Sequence, residues 1–348
     1  MKKYILTILC AMTALFTQAQ SDVKVQSVHL KNGTVVSFER SSVDSSRVVF
    51  TPEGDSLGVK IYVTGKESQD FLYSQLEFVV FYGNDTSADN NVNRNTAEDL
   101  QKNKEGWRLE FPRFYQGSDV TFEISHTTSE YGITYSLEWD GTKRANRWVC
   151  YEFSAATPDN NVGRNENFTA DPDIPTQYQT TRSDFSGFSR GHLCASNDRQ
   201  SSVEQNKQTF YYSNMQPQYQ AHNGGQWSRL ETAVQTWGNN RSFCDTLYVV
   251  KAATIDNSSQ ILSYQDASNY QVPVPKYFYM CLLAVKDGQY KAIGFWTEHV
   301  NQSESYDYSH YAKSIKEIEE LTGIDFFCNL PDDIEQEVEE SYNLSDWQ

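Results

Sequence analysis

The chain has 348 residues, 38% hydrophobic and 14% aromatic, which is material for one large domain or two smaller ones with a sizeable core. Twenty-nine basic residues against 46 acidic ones give a net charge of −17, which excludes a protein that coats nucleic acid through a uniformly basic surface. Beyond the N-terminus no stretch is long and apolar enough to span a bilayer.

Met1-Lys2-Lys3 is a short basic region, Tyr4 to Phe16 an apolar run, and Thr17-Gln18-Ala19 offers small residues before a cleavage point. Together they predict a secretory signal peptide over residues 1–19 and a secreted or periplasmic protein. Removal leaves Cys150, Cys194, Cys244, Cys281 and Cys328. Their number is odd and their spacing resembles neither a disulfide scaffold nor a zinc site, so no pairing is indicated.

Val23 to Phe50 reads as β structure, with Asn32-Gly33 as a hairpin turn between apolar runs. Val59 to Val63 and Phe78 to Tyr82 are further strands, and Pro52-Glu53-Gly54 is a turn. These make residues 20–83 a small β domain that carries no recognisable chemistry. Gly83 to Gly106 is rich in Asn, Asp, Thr and Ser, and reads as a polar linker or loop over 84–106.

A second domain is expected over residues 107–348. Trp107 to Phe111, Val120 to Ile124, Ile133 to Trp139 and Trp148 to Phe153 are predicted strands. Trp227, Leu230, Val234 and Trp237 recur at helical spacing. Leu247 to Ala252, Tyr277 to Val285 and Lys291 to Trp296 are strands, and Tyr311 to Leu321 is a helix ended by Gly323. Strands and helices segregate rather than alternate, which indicates an α+β fold.

Two segments carry candidate chemistry. One is Phe188 to Arg199, with His192 inside Arg190-Gly191-His192. The other runs from Ser213 to Gln218 and on through Asn223-Gly224-Gly225-Gln226-Trp227 to Glu231. Eight residues at about 100° each bring Glu231 within a quarter turn of Asn223. An amide oxygen and a carboxylate are hard donors suited to Mg²⁺. Taken singly, each segment has a plainer reading: a structural histidine, and an N-cap Asn with a surface Glu. Taken together, they supply the three parts that phosphodiester cleavage needs, namely a base, a metal and cations. Much of the acidic excess lies beyond Glu298, whereas Lys143 to Lys251 is about balanced and holds Arg164, Arg182, Arg190, Arg199 and Arg229. A cleft needs local positive potential only.

These segments resemble the DNA/RNA non-specific endonuclease family, whose members carry Asp-Arg-Gly-His, a Ser-Asn-x-x-Pro-Gln segment and an Asn-x-Gly-x-Trp-x-x-x-Glu helix. The resemblance covers roughly Trp107 to Trp347 and includes Tyr135 to Trp139, Arg147 to Val149, Pro273 to Phe278 and Leu321 to Phe327. It implies a ββα-metal nuclease domain, with a mixed or antiparallel sheet flanked by helices, preceded here by the small all-β region. By that resemblance His192 is the general base, Asn223 the ligand of a single Mg²⁺ or Mn²⁺, and Glu231 the holder of its water shell. Arg190 helps position the site, and Arg164 matches the phosphate-stabilising arginine. Arg190, Arg229 and Arg164 contact the DNA or RNA substrate, and the products carry 5′-phosphate and 3′-hydroxyl ends. Ser189 stands where the family has Asp, which removes a charge near the metal. That departure and the acidic balance support a second reading, a nuclease-like binding or surface-interaction protein with weak or no activity. A third is a phosphodiesterase acting on small nucleotides or phosphorylated glycans.

Overall fold

The computed structural model describes residues 25–32, 34–38, 43–50, 56–72, 74–81, 91–155, 157, 160–266, 269–302 and 307–347. The expected signal peptide and the Pro52 to Gly54 turn lie outside these residues. The chain divides into two compact units, residues 1–90 and 91–348.

In the first unit, strands β1 (Val25–Leu30) and β2 (Val35–Ser37) form the expected hairpin, with Val28 opposite Val36. Then follow β3 (Val43–Phe50), β4 (Ser56–Val63), β5 (Gln69–Leu72) and β6 (Leu76–Phe81). They make two three-stranded antiparallel sheets, ordered β2-β1-β6 and β3-β4-β5. Val28, Phe38, Val43, Val59, Ile61, Val63, Phe71 and Leu76 form its core.

The second unit begins with residues read above as linker. From Asn91 onward they are bound to the C-terminal part of the same unit. Asn91 donates to the Leu330 carbonyl at 2.5 Å, and Asn93 to Asp325 and Glu335 at 3.0 Å. Buried Asn95 donates to the Gly106 and Pro112 carbonyls. Helix α1 (Asp99–Lys102) lies in this stretch. A polar composition marks a loop only when its side chains face water, and here amides satisfy buried backbone instead. Trp107 to Phe111, expected as a strand, is a series of turns, closed by Arg108 N to Glu105 O at 3.0 Å and Phe111 N to Arg108 O at 3.1 Å. Its aromatic content serves packing: Phe111 lies edge-on to Phe114 and Trp148.

The remaining elements are β7 (Thr121–Thr128), β8 (Gly132–Asp140), β9 (Ala145–Ser154), β10 (Ser189–His192), α2 (Val203–Gln208), β11 (Met215–Gln218), α3 (Ser228–Asn239), β12 (Thr246–Ala253), β13 (Ile261–Asp266), β14 (Gln271–Pro275), β15 (Tyr277–Lys286), β16 (Gln289–Glu298), β17 (Ala312–Lys313), α4 (Ile315–Thr322) and α5 (Asp332–Glu340). Seven of these strands form one sheet in the order β17-β16-β15-β12-β9-β8-β7, and every pairing in it is antiparallel. Helix α4 starts at the Ser314 capping box, later than expected, and ends at Gly323 in the left-handed region, φ 72°.

The central strands are apolar on both faces because both are covered. Val149, Tyr151 and Phe153 of β9 join Leu247 and Val249 of β12 and Phe278, Met280 and Leu282 of β15 under α3, whose Leu230, Val234 and Trp237 face them. The alternate residues Trp148, Cys150, Val250, Ala252, Tyr279 and Cys281 pack with Ile315, Ile318 and Val338 from α4 and α5. The period-two alternation of a strand thus sorts neighbouring residues into two cores.

Candidate active site

β10 pairs with β11 in register Ser189↔Gln218, Arg190↔Pro217, Gly191↔Gln216 and His192↔Met215. Gly191 is required there, because a Cβ would collide with the Gln218 side chain. Asn214 fastens the segment that follows β10, accepting from Cys194 N and donating to Cys194 O, both at 2.8 Å. Gln216 donates to the Asn146 carbonyl at 2.9 Å, and Ser213 donates to Asp171. The Ser213 to Gln218 motif is therefore framework that holds β10 in place.

His192 ends β10 with 9% of its surface exposed. Its ring lies edge-on to Phe210 at 4.9 Å and to Phe168 at 5.7 Å. Nε2 is buried with no hydrogen-bond partner among the described residues. Burial, then the positive charges of Arg164, Arg190 and Lys251, push the imidazole down to about 3, against a hydrogen bond to the Arg190 backbone. These surroundings favour the neutral ring, and Nε2 is buried and unpartnered.

The chain between β11 and α3 is not a simple helix entry. One turn at Gln220–His222 runs into a wide π-type turn at Asn223–Trp227, with Gly225 outside helical geometry at φ −105° and ψ −109°. Such wide turns displace a residue from the regular helical face and recur at functional sites. Trp227 donates its indole N–H to the His192 carbonyl at 3.2 Å, so the turn that carries half-buried Asn223 is tied to the end of β10. Ser189 adds a second tie, donating to Gln220 Oε1 at 2.6 Å. Nearby histidines hold single tautomers. His222 accepts from Gln218 at 2.7 Å and donates to Thr297 at 2.9 Å. His299 accepts from Tyr219 N at 2.6 Å and donates to the Pro275 carbonyl at 2.7 Å. Burial lowers both, to about 3 and about 4.

Glu231 lies on α3 with 18% of its side chain exposed. Burial and the charge of Asp198 push its carboxyl up to about 7, although Lys251 draws it down. Lys251 is fully buried on the α3 face of β12, at 3.7 Å from Glu231 and 3.5 Å from Asp198. Asp198 also accepts from Tyr151 at 2.5 Å and from Gln235 at 2.7 Å. Arg164 stacks over Phe210 at 4.9 Å and pairs with Glu166 at 3.4 Å, and its charge acts on both His192 and Glu231. Arg190 lies over Phe168 at 3.7 Å.

The structure thus brings His192, Glu231, Arg164 and Arg190 into one neighbourhood, with Asn223 on the turn bonded to His192. Arg229 stands apart. It is exposed and two residues from Glu231, about 200° around α3. Sequence reasoning missed Phe168, Phe210, Asp198 and Lys251. Lys251 had a signal, being the one charged residue in the run Leu247 to Ala253, because a lone charge in a buried strand needs a partner. Cys194 is buried, its thiol pushed up to about 12, and is no nucleophile. All five described cysteines are free and buried.

A second cluster, His126 with Asp171 and Asp173, has ligand atoms close enough to share an ion. Both imidazole nitrogens are taken, however, Nε2 by Asp171 at 2.9 Å and Nδ1 by Asp173 at 3.3 Å. The cluster is an ion triad that fastens the loop before β10 to β7.

The model of the DNA/RNA non-specific endonuclease family matches residues 112–333. The mitochondrial nuclease EXOG of Danio rerio is 29% identical over 216 residues, covering 59% of this chain and 62% of that protein. A nuclease of Nostoc sp. is 27% identical over 59% of this chain and 75% of its own length. The chain thus spans about three fifths of the EXOG relatives it matches. The crystal structure of the EndoG/EndoGI complex contains a chain of the same fold, with TM-score 0.52 and 22% identity over 68% of this chain and 93% of that one.

Proposed function

The chain belongs to the DNA/RNA non-specific endonuclease family, and from that we propose that it is a metal-dependent endonuclease that hydrolyses phosphodiester bonds in DNA and RNA, leaving 5′-phosphate and 3′-hydroxyl ends. The observation that carries this reading is the neutral, buried His192 with an unpartnered Nε2. A base must be unprotonated and must offer its lone pair to the attacking water. Burial and three cations keep it unprotonated, and Phe168 and Phe210 hold its ring. A phosphate entering beside Arg164 and Arg190 offsets their charge and raises the imidazole toward the range where it accepts a proton. Arg164 and Arg190 are the cations we assign to the charge that develops on phosphate oxygens.

Asn223 is the assigned metal ligand and Glu231 the assigned holder of its water shell. Their chemistry fits Mg²⁺ or Mn²⁺, and the raised Glu231 carboxyl marks a buried anion whose neighbours compensate it incompletely. When bound, the ion neutralises charge on the phosphate and the leaving oxygen. Lys251 holds Glu231 from below, and Gln220, held by Ser189, steadies the turn of Asn223.

Export of the mature chain, read from residues 1–19, is part of this proposal. Among the described residues no helix is long and apolar enough to cross a membrane. The test is incubation of a plasmid and an RNA with Mg²⁺, Mn²⁺ or chelator. Both polymers are expected to fragment, and chelator or His192→Ala to stop it. Intact polymers beside tight binding would replace this reading with that of a binding protein.

A further inference from the structure

An open cleft of about 640 Å³ lies beside β10, lined by Thr181, Arg182, Ser183, Ser186, Phe188 and Arg190, with Phe185 at its base. Cationic, hydroxyl and aromatic side chains line it. Neither Arg182 nor Arg190 has a carboxylate partner among the described ion pairs, whereas Arg108, Arg113, Arg147 and Arg164 all do. The carboxylate of this segment, Asp184, is buried and accepts from the Thr181 hydroxyl at 3.1 Å. It accepts from Thr181 N at 2.6 Å and from the Tyr270 hydroxyl at 2.8 Å. Thr181, Arg182, Ser183 and Ser186 are exposed, so the cleft presents a guanidinium and hydroxyls to solvent, and among the described residues that line it none is a carboxylate.

The cleft also leads to the catalytic imidazole. Phe185 stacks on Tyr212 at 5.7 Å, Tyr212 on Phe168 at 6.4 Å, and Phe168 meets His192 at 5.7 Å. Arg190 spans the junction, one face on Phe168 and the other in the cleft. Phe188, half-buried against Tyr219 at 5.0 Å, adds an aromatic group to the wall. Cations and hydroxyls beside an aromatic ring are the components that hold a single strand, by phosphate contact and base stacking.

We propose that this cleft is the track of the nucleic-acid strand on one side of the scissile phosphate, with Arg190 on the nearer phosphate, Arg182 on a farther one and Phe188 against a base. This rests on the endonuclease reading above. Arg182 adds affinity for the polymer by contacting its backbone, without base preference.

The test measures binding of fluorescent single-stranded DNA and RNA across a salt series in the His192→Ala chain, and KM and kcat in the active chain. Arg182→Ala is expected to weaken binding 5- to 20-fold, to raise KM by more than it lowers kcat, and to make the slope of log affinity against log salt shallower by about one. Arg182→Lys keeps the charge and is expected to keep the slope. Lys104→Ala, an exposed cation outside the cleft, is the reference. If Arg182→Ala matches Lys104→Ala in affinity and slope, the track is overturned. A parent chain that cuts neither polymer overturns the endonuclease reading instead, and the binding series still decides the cleft.

Discussion

Two buried imidazoles, His192 and His126, sit in similar aromatic pockets and have opposite electrostatics. His192 lies between Phe168 and Phe210, and His126 between Tyr135 and Tyr211 at 4.9 and 5.0 Å. Around the first are Arg164, Arg190 and Lys251, and around the second Asp171 and Asp173. One ring is pushed to about 3 and left with a buried, unpartnered nitrogen. The other is pulled up to about 9 against its own burial and has both nitrogens bonded. Burial alone therefore does not make a histidine functional. The sign of its neighbours and the presence of an unpartnered nitrogen separate the imidazole we propose as the base from the clamp.

The contrast can be broken most severely at the chemistry. His192→Ala is expected to lower kcat by about 10³-fold with little change in unfolding temperature, in line with loss of a general base. His126→Ala is expected to do the reverse, lowering the unfolding temperature while the chemical step survives. Equal loss of kcat in both variants, measured beside thermal unfolding, would erase the distinction.

Lys251→Met comes next. It leaves Asp198 and Glu231 facing each other in the interior without their cation, at a cost of about 3 kcal/mol by urea unfolding. It also weakens Mg²⁺ binding, measured by calorimetry, because Glu231 then holds its proton more tightly. Lys251→Arg is expected to restore part of both.

The pH dependence of stability sharpens the comparison further. His126 has a folded-state pKa of about 9, above its ordinary 6.5. Its contribution is therefore complete below pH 6.5 and is lost as pH rises through about 9. The loss is about 3 kcal/mol over that window, seen as a falling urea midpoint, and His126→Phe is expected to remove that slope. The smallest effect concerns Ser189. Loss of its half-exposed hydrogen bond to Gln220 in Ser189→Ala is expected to cost under about 1 kcal/mol and to lower activity only modestly.

Local pattern made much of this molecule legible. The Asn32 hairpin, the long strands of the main sheet, the Leu230-Val234-Trp237 stripe and the Gly323 stop all follow from periodicity and turn chemistry, which act over a few residues. The Arg190-Gly191-His192 and Asn223 to Glu231 segments were visible for the same reason, being contiguous and carrying distinctive residue types. Where residues act through distant partners the pattern failed. Residues 91–106 look like a linker because their amides are polar, yet those amides serve the backbone near Leu330. Trp107 to Phe111 look like a strand because they are aromatic, yet they pack on Trp148.

What the order of residues determined by itself is most of the elements, since these depend on neighbours a turn or a pleat away. Only the tertiary structure decided which of two buried histidines keeps an unpartnered nitrogen, that Lys251 lies between Glu231 and Asp198, and that among the described residues Arg182 has no carboxylate partner while Arg147 has several. Those outcomes depend on charges brought together from strands and loops far apart in the chain, and electrostatic energy follows distance in space rather than separation in sequence.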